Sequence, residues 1–282
     1  MNLAKRIRAA ARARIVRVVD EVVIAHRHAL EAALTAHCRE LEAALATHRR
    51  ECEAAITAEV HRAIKAVQEM ELRSRRDLLA AGERAAAESS ERFARDAMPT
   101  APSFQDPIAT LKHALSLAPI EGMALEFGVA TGRTLTVIAV ARENKQVFGF
   151  DSFQGLPEDW RTNIPAGTFK TDSLPEVPGA ELVVGLFEHT LPDFLASHDD
   201  PVAFVHLDAD LYSSTATVLE HVGPRLQPGS VIIFDEYFNY PGWEQHEHRA
   251  WQEFVVKSAI EFRYVAYTRD HEQVVLVITH VR

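Results

Sequence analysis

The stretch L-E-F-G-V-A-T-G-R-T, Leu125 to Thr134, decides the fold. Glu126 closes a short apolar strand, glycines follow at Gly128 and Gly132, and an apolar helical pattern through Leu135, Ile138 and Ala139 starts directly afterwards. Strand, tight turn and helix in that order let backbone approach a ligand where a Cβ would collide, and present the free N–H groups of a helix start. A nucleotide is the expected guest.

Spacing narrows the choice. A dinucleotide fingerprint needs three glycines as G-x-G-x-x-G, and a phosphate loop needs G-K-[ST]. Neither is present here. An acid directly before the turn, with no phosphate-binding lysine, suits a ligand with an ammonium and a ribose better than one with a pyrophosphate. A second strand, Gln146 to Phe150, runs into Asp151, placed to accept hydrogen bonds from ribose hydroxyls. S-adenosylmethionine meets these demands, although a glycine turn after a buried strand also serves as a mere connection.

The chain has 282 residues, enough for about two domains. Charge is uneven: residues 1–100 carry 18 Lys+Arg against 15 Asp+Glu, whereas residues 101–282 carry 12 against 25. The acidic C-terminal part argues against a nucleic-acid partner, which requires clustered cations. Cys38 and Cys52 make neither a disulfide framework nor a zinc spacing, so a reducing, cytoplasmic setting is expected. No run reaches the roughly 18 apolar residues of a membrane span, and Arg17, Asp20 and Glu21 interrupt Ile15–Ile24, which excludes a signal peptide.

Residues 1–98 contain no proline and a single glycine, Gly82, which predicts a long helix. An eleven-residue repeat runs through it from His26: H-R-H-A-L-E-A-A-L-T-A, H-C-R-E-L-E-A-A-L-A-T, H-R-R-E-C-E-A-A-I-T-A. Its apolar pairs are Leu30/Leu34, Leu41/Leu45, Cys52/Ile56 and, more weakly, Ala63/Val67. That period gives about 3.67 residues per turn and a nearly straight stripe. Three readings stand side by side: a homo-oligomeric coiled coil through residues 1–98, an amphipathic helix lying peripherally on anionic membrane, and docking to a different protein. The second rests on six cations, Lys5 to Arg17, ahead of the first acid at Asp20. His26, His37 and His48 recur at the repeat period, about 16 Å apart along a helix, too far to share one metal.

Ala85–Ser90 and then Pro99, Pro102 and Pro107 mark a boundary, with a catalytic domain over 102–282. Asp106–Leu117 reads as a short helix, after which strands and helices alternate. The predicted order is strand Met123–Phe127, helix from Thr131, strands Gln146–Phe150 and Ala180–Val184, helix near Leu191–Ser197, strand Val202–Leu207, helix from Ser213, strand Ser230–Phe234 and helix near His246–Ser258. Phe262–Tyr267 and Gln273–Thr279 then form an antiparallel hairpin. Such alternation predicts an α/β, doubly wound, Rossmann-like sheet with its ligand at the carboxyl ends of the strands.

Three features lie at those ends. F-V-H-L-D-A-D-L-Y, Phe204 to Tyr212, sets Asp208 at the tip of the fourth strand and Asp210 just past it. P-G-S-V-I-I-F-D-E-Y, Pro228 to Tyr237, sets Asp235 and Glu236 at the tip of the fifth. Carboxylates gathered on adjacent tips suit Mg²⁺, while strand-end acids also cap following helices, as Asp210 before Ser213 would. Third, Ser152–Gly179 is an aperiodic connection with four prolines, of the length expected for a lid. Phe187, in Gly185-Leu186-Phe187, reads equally as an adenine contact or as core.

The chain resembles the macrocin O-methyltransferase family, class I S-adenosylmethionine enzymes that methylate sugar hydroxyls. The resemblance covers roughly Leu125 to Phe254 and rests on E-F-G-V-x-x-G (126–132), F-G-F-D-S-F-x-G-L-P (148–157), G-T-F (167–169), G-L-F-E-H-T-L-P (185–192), H-L-D-A-D-L-Y-S-S-T (206–215) and P-G-S-V-I-I-F-D-E-Y. It implies cofactor contacts from Glu126, Phe127, Gly128, Thr131, Gly132, Asp151, Ser152 and Asp208, and metal ligands at Asp208, Asp235 and Glu236. The family pattern has a second aspartate where this chain carries Glu236. It further implies an acceptor, small molecule or glycan, with a free hydroxyl. Asp208, Asp210 and His246 are candidates for the general base, and His206, inside an apolar strand, reads as a satisfied core histidine. Two rivals stand beside this reading: a non-catalytic coiled-coil scaffold with a methyltransferase-like domain, and a nicotinamide oxidoreductase, disfavoured by the missing third glycine.

Overall fold

The computed structural model describes residues 3–119 and 121–281, and the chain separates into two compact units, Met1–Arg76 and Asp77–Arg282. The first unit is one helix, α1, Leu3–Ser74. Alanine, arginine and glutamate favour it intrinsically, and i,i+4 pairs such as Arg27–Glu31 (3.6 Å) and Arg49–Glu53 (2.8 Å) add a few tenths of a kcal/mol each. Its apolar side chains stand in solvent, Leu34 and Leu45 being 65% and 75% exposed. Among the described residues no helix is long and apolar enough to cross a membrane.

The helix does not continue to residue 98. It ends at Ser74, and Asp77 caps a second helix, α2, Leu78–Ala97, by accepting from the N–H groups of Leu79 (3.0 Å) and Ala80 (3.2 Å). A break without proline or glycine leaves only the aspartate as its mark, and Asp77 is an ordinary N-cap residue. The boundary between units therefore lies at 76/77 rather than near Pro102, because α2 buries Ala86 and Ser90 in the second unit.

That second unit is built on eight strands: β1 (Ser103–Phe104), β2 (Met123–Phe127), β3 (Val147–Asp151), β4 (Glu181–Val184), β5 (Val202–Leu207), β6 (Leu226–Phe234), β7 (Glu261–Thr268) and β8 (Val274–His280). Their order is β1-β7-β8-β6-β5-β2-β3-β4. β4, β3, β2, β5 and β6 are mutually parallel, and β8 inserts antiparallel between β6 and β7. The expected doubly wound sheet with an antiparallel final hairpin is thus present. β1, a two-residue parallel edge on β7, is too short to announce itself in sequence.

The helices α3 (Pro107–Leu117), α4 (Arg133–Ala141), α5 (Phe187–Ser197), α6 (Tyr212–Val222) and α7 (Glu247–Ser258) cover both faces. Leu111, Leu135 and Ile138 fill one face of the sheet, and Leu191, Val218 and Trp251 the other. Strands buried on both faces read as continuous apolar runs, as V-A-F-V-H-L and M-A-L-E-F do. The chain order reverses between β2, which leads outward to β3 and β4, and β5, which returns to its other side. A crevice opens outside the strand tips at such a reversal.

Candidate active site

A cavity of about 520 Å³ occupies that crevice. Gly128, Ala130, Asp151 and Ser152 line one part, Gly185, Leu186 and Phe187 the next, and Asp208, Asp210 and Glu236 its floor. The loop between β3 and β4 supplies a further wall with Leu156, Pro157, Trp160, Arg161, Ile164 and Phe169. All five parallel strands point their carboxyl ends at one volume.

The glycine turn is held by side chains more than by its own backbone. Asp151 Oδ2 accepts from the N–H groups of Val129 (2.9 Å) and Ala130 (2.8 Å), and its Oδ1 accepts from Phe153 N–H (2.7 Å). Asp151 thus braces the turn, with lone pairs of Oδ1 left for a ligand. Gly128 has φ +94°, and a Cβ there would sit 1.9 Å from the carbonyl oxygen of Asp208, so close approach of β2 to β5 demands glycine. Gly132, also at positive φ, lies under Val177 and Pro175 of the loop, and a Cβ would come within 2.6 Å of Val177 Cγ2. The start of α4 is consequently covered by protein, and neither Gly132 nor the exposed Thr131 lines the cavity.

Glu126 and Phe127 also depart from the expected cofactor contacts. Phe127 is core, stacked on Phe150 with ring centres 4.8 Å apart. Glu126 is fully buried in β2, paired across the sheet with His206 of β5: its Oε1 lies 2.7 Å from His206 Nδ1. The other ring nitrogen reaches Asp235 Oδ1 at 3.4 Å. Burial alone would lower the pKa of His206; hydrogen bonds to Asp235 and Glu126 overcome it and hold the imidazole well above its usual value. Burial likewise pushes Asp235 up, and the His206 bond and charge bring it below the normal carboxylate range. His206 is a satisfied core histidine, as read, with an acid at each end. Phe187 meets Phe127 edge-on at 5.3 Å, as its core reading expects, and also lines the cavity.

The acids divide into two overlapping groups. Asp208, Asp210 and Glu236 offer carboxylate oxygens all within 4.8 Å of one another, as do Asp208 and Asp235 with a His206 nitrogen. Asp208 is common to both. The expected trio of Asp208, Asp235 and Glu236 is therefore not gathered as one set, because His206 engages Asp235 while Asp210 enters beside Glu236. Burial, then the charge of Asp235, pushes Asp208 and Glu236 well above the usual carboxylate range. The same two causes bring Asp210 to about 7. Glu236 Oε2 is buried without a partner. Asp210 does not cap α6, whose N-cap is Leu211 with no side-chain bond, and it sits instead at φ +59° facing the cavity. Three clustered carboxylates, Asp208, Asp210 and Glu236, one with an orphaned oxygen, offer the hard oxygen donors that fit a divalent cation such as Mg²⁺.

His246, a base candidate by sequence, is half-buried against Tyr240 with ring centres 5.9 Å apart and lies outside the cavity lining. Its neighbour matters more. Glu247 is fully buried and accepts from Glu236 N–H (3.1 Å) and Thr215 Oγ (3.4 Å), fixing the tip of β6. Arg161 was also unread: its guanidinium lies 4.0 Å over the Trp160 ring and 4.7 Å over Tyr240, and pairs with Glu272 at 3.1 Å. The adjacent Trp-Arg in a proline-rich loop was the available signal for a built lid.

Residues 125–237 match the family model described as "Methyltransferase domain". A curated relative from Streptomyces olivaceus, the 8-demethyl-8-(2,3-dimethoxy-alpha-L-rhamnosyl)-tetracenomycin-C 4'-O-methyltransferase, is 43% identical over 149 residues, 42% of this chain. The match spans about half of that relative, 54%. Similar solved structures include CalS11, a calicheamicin methyltransferase, at 26% identity over 54% of this chain and 71% of its own, with a TM-score of 0.45. The O-methyltransferase NovP is 23% identical over 61% of this chain and 81% of its own, also with a TM-score of 0.45. Residues 125–237, the stretch that matches the methyltransferase-domain model, carry both the glycine turn and the strand-tip acids.

Proposed function

We propose that the chain is an S-adenosylmethionine-dependent O-methyltransferase that methylates a hydroxyl of a sugar or glycosylated metabolite. The observation that carries the reading is Asp210, an acid brought to about 7 on the floor of the strand-tip cavity, beside Asp208 and a Glu236 whose Oε2 is buried without a hydrogen bond. A group poised near neutrality takes a proton from a hydroxyl more effectively than an ordinary carboxylate. The 43% identity to a relative named for methylation of a rhamnosyl product supports a sugar acceptor.

In this reading Gly128, Ala130, Asp151, Ser152 and Phe187 form the cofactor half of the cavity, and the Trp160–Phe169 wall with Glu236 forms the acceptor half. S-adenosylmethionine held there would supply an electrophilic sulfonium methyl group: the acceptor oxygen would bond to the methyl carbon as the C–S bond breaks and S-adenosylhomocysteine leaves. Asp208 and Glu236 would be free to hold Mg²⁺, with Asp235 steadied behind them by His206 and Asp210 left to take the proton. Mg²⁺ held there would supply positive charge that favours loss of the acceptor hydroxyl's proton. Glu247 holds the Glu236 backbone, and the lid excludes water.

The exposed apolar stripe of α1 supports a homo-oligomer formed through that helix, and its six leading cations support peripheral contact with an anionic membrane. Calorimetric titration with S-adenosylmethionine, with and without Mg²⁺, tests the site: binding at one site per chain is expected. No binding under either condition would sink the enzyme reading and favour a coiled-coil scaffold. Asp210→Asn should abolish methyl transfer while cofactor binding persists.

A further inference from the structure

Between the tip of β6 and the start of α7 the chain crosses from Glu236 to Glu247 through a segment with two left-handed residues, Asn239 and Gly242. Besides its own short-range bonds, such as Gln245 N–H to Gly242 O (2.9 Å), the segment takes two from α2. Ser90 Oγ, 3% exposed, accepts from the N–H of Asn239 (2.8 Å), and Ser89 Oγ accepts from Trp243 Nε1 (2.9 Å). Phe93 then sets its ring among those of Tyr237 (6.0 Å), Phe238 (6.5 Å), Trp243 (5.4 Å), His248 (5.4 Å) and Tyr264 (5.5 Å). The opposite side of the same segment faces the lid. Tyr240 donates its hydroxyl to Glu236 O (3.3 Å) and presents its ring to the Arg161 guanidinium (4.7 Å) and Trp160 (6.0 Å). The lid's ion pair there, Arg161 to Glu272, ends on the β7–β8 turn, whose Glu272 carbonyl accepts from Tyr237 N–H (2.9 Å).

We propose that α2 is a brace behind the acceptor half of the cavity: Ser89, Ser90 and Phe93 are positioning residues that hold the Tyr237–Gln245 segment and, through Tyr240, the position of Trp160 and Arg161 in the lid. The proposal rests on the acceptor-site reading above for its function and on the contacts alone for its mechanics. A helix that merely covered apolar core would need Phe93 and Ala86, but not two serines aimed at one loop. Lid closure is thereby tied to the part of the chain that leads into α1.

Limited trypsin digestion of the full chain, with cuts after Arg161 and Lys170 in the lid followed by mass spectrometry, reads the mechanics directly. Loss of two such hydrogen bonds in Ser89→Ala/Ser90→Ala should speed both cuts roughly 5–30-fold. The control Thr110→Val breaks the buried Thr110–Thr268 hydroxyl bond (2.6 Å) elsewhere and should leave lid cuts at the wild-type rate. S-adenosylhomocysteine, titrated as the probe of the cofactor half, should bind the double variant within about two-fold of wild type. Should the double variant not fold, Tyr240→Leu removes the lid-facing ring with the α2 serines intact and carries the same expectation. Wild-type cut rates in either folded variant, or equal acceleration by Thr110→Val, would overturn the proposal. Failure of wild type to bind S-adenosylhomocysteine would instead overturn the methyltransferase reading and leave the lid comparison standing.

Discussion

Two glycines with nearly the same backbone but different surroundings separate conformational cost from steric cost. Gly128 has φ +94° and Gly242 has φ +85°; a Cβ on Gly242 meets nothing within 4 Å, whereas one on Gly128 lies 1.9 Å from the Asp208 carbonyl oxygen. Alanine in a left-handed conformation costs about 1–2 kcal/mol, which is the whole expectation for Gly242→Ala. Gly128→Ala adds a collision between backbone atoms of adjacent central strands. Neither β2 nor β5 can yield without opening the Asp208 N–H to Phe127 O bond (2.9 Å). Overpacking of this sort adds about 1–3 kcal/mol, for a total of roughly 2–5. At about 2–4 °C per kcal/mol for a unit of this size, melting should fall by about 2–8 °C for Gly242→Ala and by as much as about 20 °C for Gly128→Ala. Urea denaturation supplies the matching free energies from the midpoint shift at constant slope. S-adenosylmethionine binding should vanish only in the Gly128 variant. Equal melting shifts, or intact cofactor binding in Gly128→Ala, would refute the claim that close approach of β2 to β5 shapes the site.

The remaining expectations concern charge, packing and α1. His248 lies among the rings of Phe93, Tyr237 and Trp243, and burial lowers its pKa to about 4. Below pH 6.5 the unfolded chain takes up this proton before the folded one does, so stability from neutral His248 is complete above pH 6.5 and is lost as pH falls through 4, about 3 kcal/mol in all; His248→Gln should flatten that limb of a pH–melting curve. Phe127→Ala removes a fully buried ring stacked on Phe150 and should cost about 3–5 kcal/mol in chemical denaturation. Leu41→Glu with Leu45→Glu, on the exposed stripe, should reduce the oligomer seen by light scattering without moving the melting of Asp77–Arg282.

What the sequence disclosed depended on how local the physics was. β2 and β5 fall on their predicted bounds because each is an apolar run closed by an acid, and burial on both faces leaves little freedom in composition. α4 starts at Arg133 rather than Thr131, two residues later, because Gly132 is left-handed. The break at Asp77 was illegible for another reason: alanine and arginine continue across it, and only docking of α2 on distant rings makes a second helix preferable to a longer first one. Within the site, Asp208, Asp210, Glu236 and Asp151 were legible as strand-tip acids, because topology alone carries a tip to the crevice. Which of them cluster was not, since that depends on rotamers set by cross-strand partners.

Glu126 shows how far apart those two levels stand. Two residues before Gly128, it occupies the position from which an acid was expected to meet the cofactor, yet a strand residue beside a tip points to whichever face its parity dictates. Its register partner is His206, and two side chains facing each other across parallel strands in the sheet interior leave a glutamate no route to the cavity. The pair then has a consequence beyond β2. An imidazole with acids at both nitrogens stays protonated, and its charge keeps Asp235 ionised while the neighbouring carboxyls rise. Within one cluster, acids of like sequence context are thereby sorted into one pulled below the usual carboxylate range and others pushed above it, the separation that acid–base chemistry at a shared cavity requires. The residue expected to hold the ligand instead sets the protonation of the group behind it.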